Sequence, residues 1–267
     1  MNAVHLYVEY LAIAFRGQMQ YRTSFVMLAL GQFLVNGIEI LGVWALFARF
    51  RSLEGWRLEE VALFYGLVNV SLGIAGVAAG GFDKFANLVK SGEFDRMLLR
   101  PRSTALQIAA RQFEFRRTGR MLQGLVVLVW AGAVLDVAWS PGRIGLVILA
   151  VLGGAALFYG LFVLQATLAF WTTETLELMN AITYGGCEAG RYPLSIYRAW
   201  LRRFFTFIVP LACVSYFPAI AILGRDDPVL GSPMWFRWLS PSVGVLFLVA
   251  SLQIWRLGVR HYHSTGS

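Results

Sequence analysis

Residues 92–103 read GEFDRMLLRPRS: Glu93, Asp95, Arg96, Arg100 and Arg102 set among Phe94, Met97, Leu98 and Leu99. Almost everything on either side of this dozen is apolar. Hydrophobic residues make up 58% of the 267, charged residues only 14%, and mean hydropathy is +0.62. A soluble chain carries about 25% charged residues, so this one is built for lipid. Runs of about 20 apolar residues are long enough to cross a bilayer as helices. Six occur here, near 24–47, 61–79, 121–138, 144–171, 203–223 and 242–258. The expected fold is an all-α integral membrane protein of about six transmembrane helices in one domain, 1–267.

The net charge of +8 follows a topology. With the N-terminus inside and six alternating spans, all of the 23 Lys and Arg fall on inner segments except Arg49, Arg51, Arg57, Arg143, Arg225 and Arg237. Cytoplasmic loops retain basic residues, so both termini are expected in the cytoplasm of a multi-pass protein of the cell (inner) membrane. The basicity is then topological, and no nucleic-acid partner is needed to explain it. Trp44, Trp139, Trp171, Trp200, Trp238 and Trp255 lie at or near span ends, where indoles favour the interface. Cys187 and Cys213 suggest neither a disulfide framework nor a metal site. No cleavable signal pattern opens the chain, so the N-terminus is expected to be retained.

Before the first span, Val4, Tyr7, Val8, Leu11, Phe15 and Met19 recur at helical spacing. They predict an amphipathic helix over 1–22, lying in the inner interface or packed on its own bundle. The first span carries Gln32, Asn36 and Glu39. An ionisable group at mid-bilayer costs roughly 2.5–3.5 kcal/mol on insertion scales. Glu39 should therefore face protein or a wet cavity, as a pathway residue or an interhelix partner. In the second span Ser71, Ala75 and Ala79, with Gly76 and Gly80 beside them, predict close packing against other helices.

The inner loop, 80–120, holds two short amphipathic pieces. Phe82, Phe85, Leu88 and Val89 share one helix face that Ser91-Gly92 ends; Phe94, Met97 and Leu98 form a second strip that Pro101 closes. Thr104 to Gln107 has the spacing of a capping box. One reading is an interfacial element whose arginines meet anionic headgroups. The other is a rigid knob gripped by a soluble partner, apolar residues anchoring and charges setting register. A second cytoplasmic segment is expected over 172–203. There Leu176, Met179 and Ile182 form an apolar face with Glu174 and Glu177 exposed, Gly185-Gly186 breaks the helix and Tyr192-Pro193 makes a bend. Pro210 and Pro218 each remove a backbone donor inside the fifth span and are expected to kink it.

No glycine-rich phosphate loop, His-Glu-x-x-His motif or Gly-x-Ser-x-Gly motif occurs, and His5, His261 and His263 lie near the termini. The expectation is a non-catalytic chain that binds no cofactor itself.

Two stretches, SGEFDRMLLRPRSTALQI and RYPLSIYRAWLRRFFTFIVPLACVSYFPA, resemble the permeases of ABC-2-type transporters, in the subgroup known as ABC-2 family transporter proteins. The resemblance implies a coupling helix in the first inner loop, seated in a groove of a cytosolic ATPase subunit. It maps onto Phe82 to Arg100, with Phe82, Phe85, Leu88, Val89, Glu93, Phe94, Asp95 and Arg96 as interface candidates. The family's Tyr-Pro-Leu-Ser element matches Tyr192, Pro193, Leu194 and Ser195, and its helix prolines match Pro210 and Pro218. It also implies two ATPase subunits that hold ATP and Mg2+, a second permease subunit (identical or related), and export. The outer loop, GRDDPVLGSPMWFRWLSP, is short beside relatives that carry a re-entrant helix pair there. The rival reading is an ATP-independent secondary transporter or scaffold that uses Glu39.

Overall fold

The computed structural model describes residues 19–111, 117–171 and 176–262, with positions 5, 9, 12, 13, 16 and 17 before them. Most of the helix expected over 1–22, including Val4, Tyr7, Val8, Leu11 and Phe15, lies outside the described residues. So do Glu174 and the side chains of Asn36, Leu176 and Glu177. The described residues are helical almost throughout. In chain order the helices are α1 Arg22–Phe50, α2 Leu58–Ala78, α3 Gly80–Asp83, α4 Phe85–Lys90, α5 Glu93–Leu98, α6 Thr104–Arg111, α7 Thr118–Val134 and α8 Pro141–Leu168. There follow α9 Leu176–Gly190, α10 Ala199–Arg203, α11 Leu211–Val214, α12 Tyr216–Leu223, α13 Met234–Leu239 and α14 Ser242–Arg260.

Each apolar run of the sequence coincides with helix. Among the described residues four helices, α1, α2, α8 and α14, are long and apolar enough to cross a membrane, and the bent pair 199–208 with 211–223 makes a fifth if it is one span. α7, with 17 residues, is apolar but shorter. These helices make a multi-pass membrane bundle.

α2 is its centre, mostly buried along its length. Small residues explain why neighbours come so close: Ser71, as expected from the sequence, and also Gly66 and Gly73. A Cβ on Gly73 would lie 2.7 Å from Met121 Cβ of α7, and one on Gly66 2.7 Å from Leu128 Cβ. On another face Ser71 Oγ donates to the Val151 carbonyl of α8 at 3.1 Å. α8 and α14 touch backbone to backbone, since a Cβ on Gly244 would sit 2.0 Å from the Gly153 carbonyl oxygen. α1 is the exception: it leans on α7 through Gly119, whose Cβ would meet the Ala29 carbonyl oxygen at 2.5 Å, and leaves most of its apolar surface exposed.

The segment expected as a cytoplasmic loop over 172–203 is instead threaded into the bundle. Tyr184 of α9 stands beside Leu72 and Gly73, towards the end of α2 nearest the 80–103 loop. Further on, Gly190 packs on Val68, and Ser195 accepts a hydrogen bond from Trp56 Nε1 (3.1 Å) at the opposite end of α2. Thus residues 184–195 run nearly the length of α2. Gly185-Gly186 does not break α9, which continues to Gly190; Gly186 instead admits Leu211 Cδ1 to within 2.8 Å of where a Cβ would stand. The chain then returns through α10 and a π-helical turn, Phe204–Ile208, and bends by 72° at Val209-Pro210 before α11 and α12. Pro210 sits at the bend as expected. Pro218 does not kink anything: it occupies the first turn of α12, where backbone N–H groups lack intrahelical acceptors anyway.

Candidate functional site

The charged block at 92–103 is held by an aromatic cluster. α3, α4 and α5 fold back under the bundle, and Gly92, with φ +67°, takes the left-handed conformation that separates α4 from α5. Phe85 contacts Phe94 (centroids 5.0 Å apart), Trp255 of α14 (4.9 Å) and Phe170 (5.1 Å), and Phe82 stacks edge-on against Trp255 (5.4 Å). Phe94 also meets Tyr262 at 5.1 Å. Such aromatic pairs add about 0.5–1.5 kcal/mol each beyond the area they bury. The loop's return is pinned as tightly. A Cβ on Gly81 would stand 1.8 Å from the Ile108 carbonyl oxygen, and Trp255 Nε1 donates to Thr104 Oγ1 at 3.2 Å. The capping box expected at Thr104–Gln107 does not form. Its threonine faces Trp255, and the Gln107 amide donates instead to the carbonyls of Met97 and Arg102, both at 3.2 Å. Ion pairs Asp83–Arg117 and Glu93–Arg111 brace the two limbs.

This geometry revises the candidate interface. Phe82, Phe85, Val89 and Phe94 are at most 5% exposed and belong to the interior; Leu88 is half-buried against it. They cannot present an apolar anchor to another protein, because the bundle's own aromatic rings already cover them. Glu93 and Asp95 are partly exposed and Arg96 is exposed. What the loop does present is Leu98, 40% exposed, and Leu99, 86% exposed, followed by exposed Arg100, Pro101 and Arg102. Beside them runs a groove of about 670 Å³ lined by Glu93, Arg96, Arg100, Arg102 and Arg111 among others. Leu99 was legible only in part: Pro101 ends the helix too early for a second apolar turn to cover it.

A second constellation surrounds Arg191, which sequence reading counted only as a topological charge. Its side chain is 3% exposed. It donates to Glu39 Oε2 of α1 (2.9 Å), to Glu188 Oε2 (2.6 Å) and to Asn69 Oδ1 of α2 (2.9 Å), and its guanidinium lies 4.9 Å from the Tyr65 ring centroid. Glu39 thus has an interhelix partner. The next residues carry the Tyr-Pro-Leu-Ser element into the far half of the bundle. Tyr192 is half-buried, Pro193 and Leu194 are buried, and Ser195 meets Trp56. The buried ion pair explains why this turn can sit inside: without its carboxylate partners a buried guanidinium would cost several kcal/mol.

At the far end, Asp227 organises the loop between α12 and α13. Its carboxylate accepts from the backbone N–H groups of Val229, Leu230 and Ser232 at 3.0–3.1 Å and from the Tyr216 hydroxyl at 3.1 Å. Burial pushes this carboxyl upward, but the hydrogen bonds from Ser232, Leu230 and Val229 outweigh it, so it titrates below its ordinary range. Arg225 pairs with buried Glu60 at 2.7 Å and lies 4.4 Å from the Trp56 ring centroid. One short helix, α13, separates this loop from α14 among the described residues. No group of three or more His, Cys, Asp or Glu able to hold a metal ion occurs among them either.

Fold and site together define a multi-pass helical membrane domain with a braced loop at one end and a buried arginine joining three segments. The family model described as ABC-2 family transporter protein matches residues 33–266, and the chain belongs to that family. It is accordingly the membrane component of an ABC transporter, a class that works with an ATP-binding-cassette ATPase. No curated protein matches the chain significantly, and neither does any solved structure.

Proposed function

We propose that this chain is the permease subunit of an ATP-driven exporter in the cell (inner) membrane, with both termini cytoplasmic. Two copies of a cytosolic ATPase subunit, which hold ATP and Mg2+, dock on the 80–103 loop. A second permease subunit completes the substrate pathway. The chain itself performs no chemistry. The exposed Leu98-Leu99 pair, set on a loop that is fixed to α14 through Phe85, Phe94 and Trp255, supports this reading most directly. A coupling element must be accessible at its tip and stiff at its base, or nucleotide-driven motion would be absorbed before it reached the helices.

In this account the interface consists of Leu98 and Leu99 with Arg96, Arg100 and Arg102, while Phe82, Phe85, Val89 and Phe94 act as the support beneath it. Motion passes to α2 through α3, to α7 through Asp83–Arg117, and to α14 through Trp255. The reading in which Glu39 alone couples an ion loses its motive, because Glu39 is paired with Arg191. The test is capture of the ATPase by purified permease. Leu99→Asp is expected to lower capture by at least about tenfold, as burying an unpaired charge does at an interface centre. Normal capture and normal ATP-dependent transport by a folded Leu99→Asp protein would overturn the docking surface.

A further inference from the structure

Between α1, α2, α7 and α9 lies a pocket of about 260 Å³ lined by Gln32, Leu72, Gly73, Arg117, Arg120 and Tyr184. Helix packing puts it about one to two turns inside the loop-bearing end of the bundle. Gly73 abuts Met121, Gly76 abuts Arg117, and Gly119 abuts Gln32. The pocket walls are therefore fixed by backbone-close contacts. Its two cations differ in status. Arg117 is half-buried, paired with Asp83 and set over the Phe162 ring at 5.7 Å. Arg120, also half-buried, has no hydrogen-bond or ion-pair partner among the described residues. One turn further along α7, Gln123 is 3% exposed, and neither of its amide atoms has a partner there. A membrane helix that keeps an unpaired guanidinium in such surroundings carries a cost that a ligand would offset.

We propose that this pocket binds a phosphate group, with Arg120 as its charged contact and Gln32 and Tyr184 as the polar side chains around it. Guanidinium groups match phosphate oxygens in geometry and stay charged in apolar surroundings. Basic pockets between membrane helices at the cytoplasmic side suit lipid headgroups. The volume has room for a phosphate group, and the chain's proposed topology puts it at inner-leaflet depth. Its ligand is then the phosphate of an anionic phospholipid or a small soluble phosphate. The site does not depend on the ATPase partner, so it is testable on the permease alone.

The experiment uses the purified full-length chain in two arms. In the first, native mass spectrometry counts lipid retained from mixed phosphatidylglycerol and phosphatidylcholine micelles. In the second, the protein in phosphatidylcholine nanodiscs is titrated with inorganic phosphate and its thermal midpoint followed. The proposal expects preferential phosphatidylglycerol retention, a phosphate-dependent rise in midpoint, or both, weakened about tenfold by Arg120→Gln, as loss of a charge-assisted bond implies. Arg120→Lys should retain part of the effect, and Arg256→Gln, an exposed arginine elsewhere on the bundle, should retain all of it. Retention in the first arm alone assigns a lipid headgroup, and a response in the second alone assigns a soluble phosphate. The proposal is overturned if neither arm responds, or if Arg256→Gln lowers the response as much as Arg120→Gln. If Arg120→Gln does not fold, Gln32→Leu with the Lys variant decides on the same readouts.

Discussion

Arg191 Nη1 stands 2.9 Å from Glu39 Oε2 across 152 residues of sequence, joining the most exposed helix of the bundle to the turn that follows α9. The guanidinium is 3% exposed, whereas Glu39 is 38% and Glu188 57% exposed, so the three partners are not equivalent. Removing the arginine leaves Asn69 and Glu39 without their donor inside the bundle; removing Glu188 costs less, because the arginine keeps Glu39 and Asn69 as acceptors.

The order of effects follows. Arg191→Met is expected to destabilise by about 3–5 kcal/mol, the cost of breaking a buried pair. Glu188→Gln should cost less than about 1 kcal/mol, with Glu39→Gln between the two. Thermal unfolding in detergent measures all three. A Glu39→Gln/Arg191→Met double variant should lose less than the sum of the singles, because both act on one interaction.

Support and contact should separate in the 80–103 loop. Phe94→Ala is expected to lower stability by about 3–5 kcal/mol, as for other buried Phe truncations. Leu99→Ala should change it by no more than about 0.5 kcal/mol while weakening ATPase capture. Parallel thermal-shift and pull-down measurements on the two variants check this. A stable Phe94→Ala protein would show that the aromatic cluster does not brace the loop.

Close helix approach makes a further prediction. Gly244→Ala drives a methyl group into the Gly153 carbonyl and should cost about 1–3 kcal/mol through forced separation of α8 and α14. Gly42→Ala, with nothing within 4 Å, should be neutral or stabilising by up to about 1 kcal/mol. Yield and thermal midpoint of the two purified variants report the difference.

The loop held by Asp227 should be sensitive to acid. Its carboxyl titrates lower in the folded chain than in the unfolded one, so the unfolded state takes up the proton first. The stabilisation is fully present above the ordinary carboxylate value of about 3.9 and is lost as pH falls through the lower folded value. Wild-type protein should therefore exceed Asp227→Asn in thermal midpoint at pH 6, with the gap closing below about pH 4. A gap independent of pH would assign Asp227 a role in which its charge is irrelevant.

Much of this was legible in the sequence because lipid imposes one rule along each helix. The apolar runs coincide with helices, and the small residues of α2 foretold its close packing. What escaped was the path of 176–210. The Gly185-Gly186 pair resembles a break, and Glu188 and Arg191 resemble a solvated segment, because neither the ion pair with Glu39 nor the contact of Gly186 with Leu211 has a local signal. The same limit governed the loop. Periodicity put Phe82 and Phe85 on one apolar strip and Phe94 on a second, yet it does not say whether a strip faces a partner or its own bundle. Trp255 and Phe170, distant in sequence, decided that.

The most direct test of the coupling account is a cysteine at position 99. Cys187 and Cys213 are buried, so a Leu99→Cys thiol is selectively accessible to a short bifunctional reagent when the permease is reconstituted with its ATPase subunit. The account predicts a crosslink to that subunit from position 99, its yield changing when ATP is added, and none from a cysteine placed at Met234, exposed at the far end. Free access of the reagent to position 99, with no ATPase crosslinked in an assembled and active complex, would contradict it.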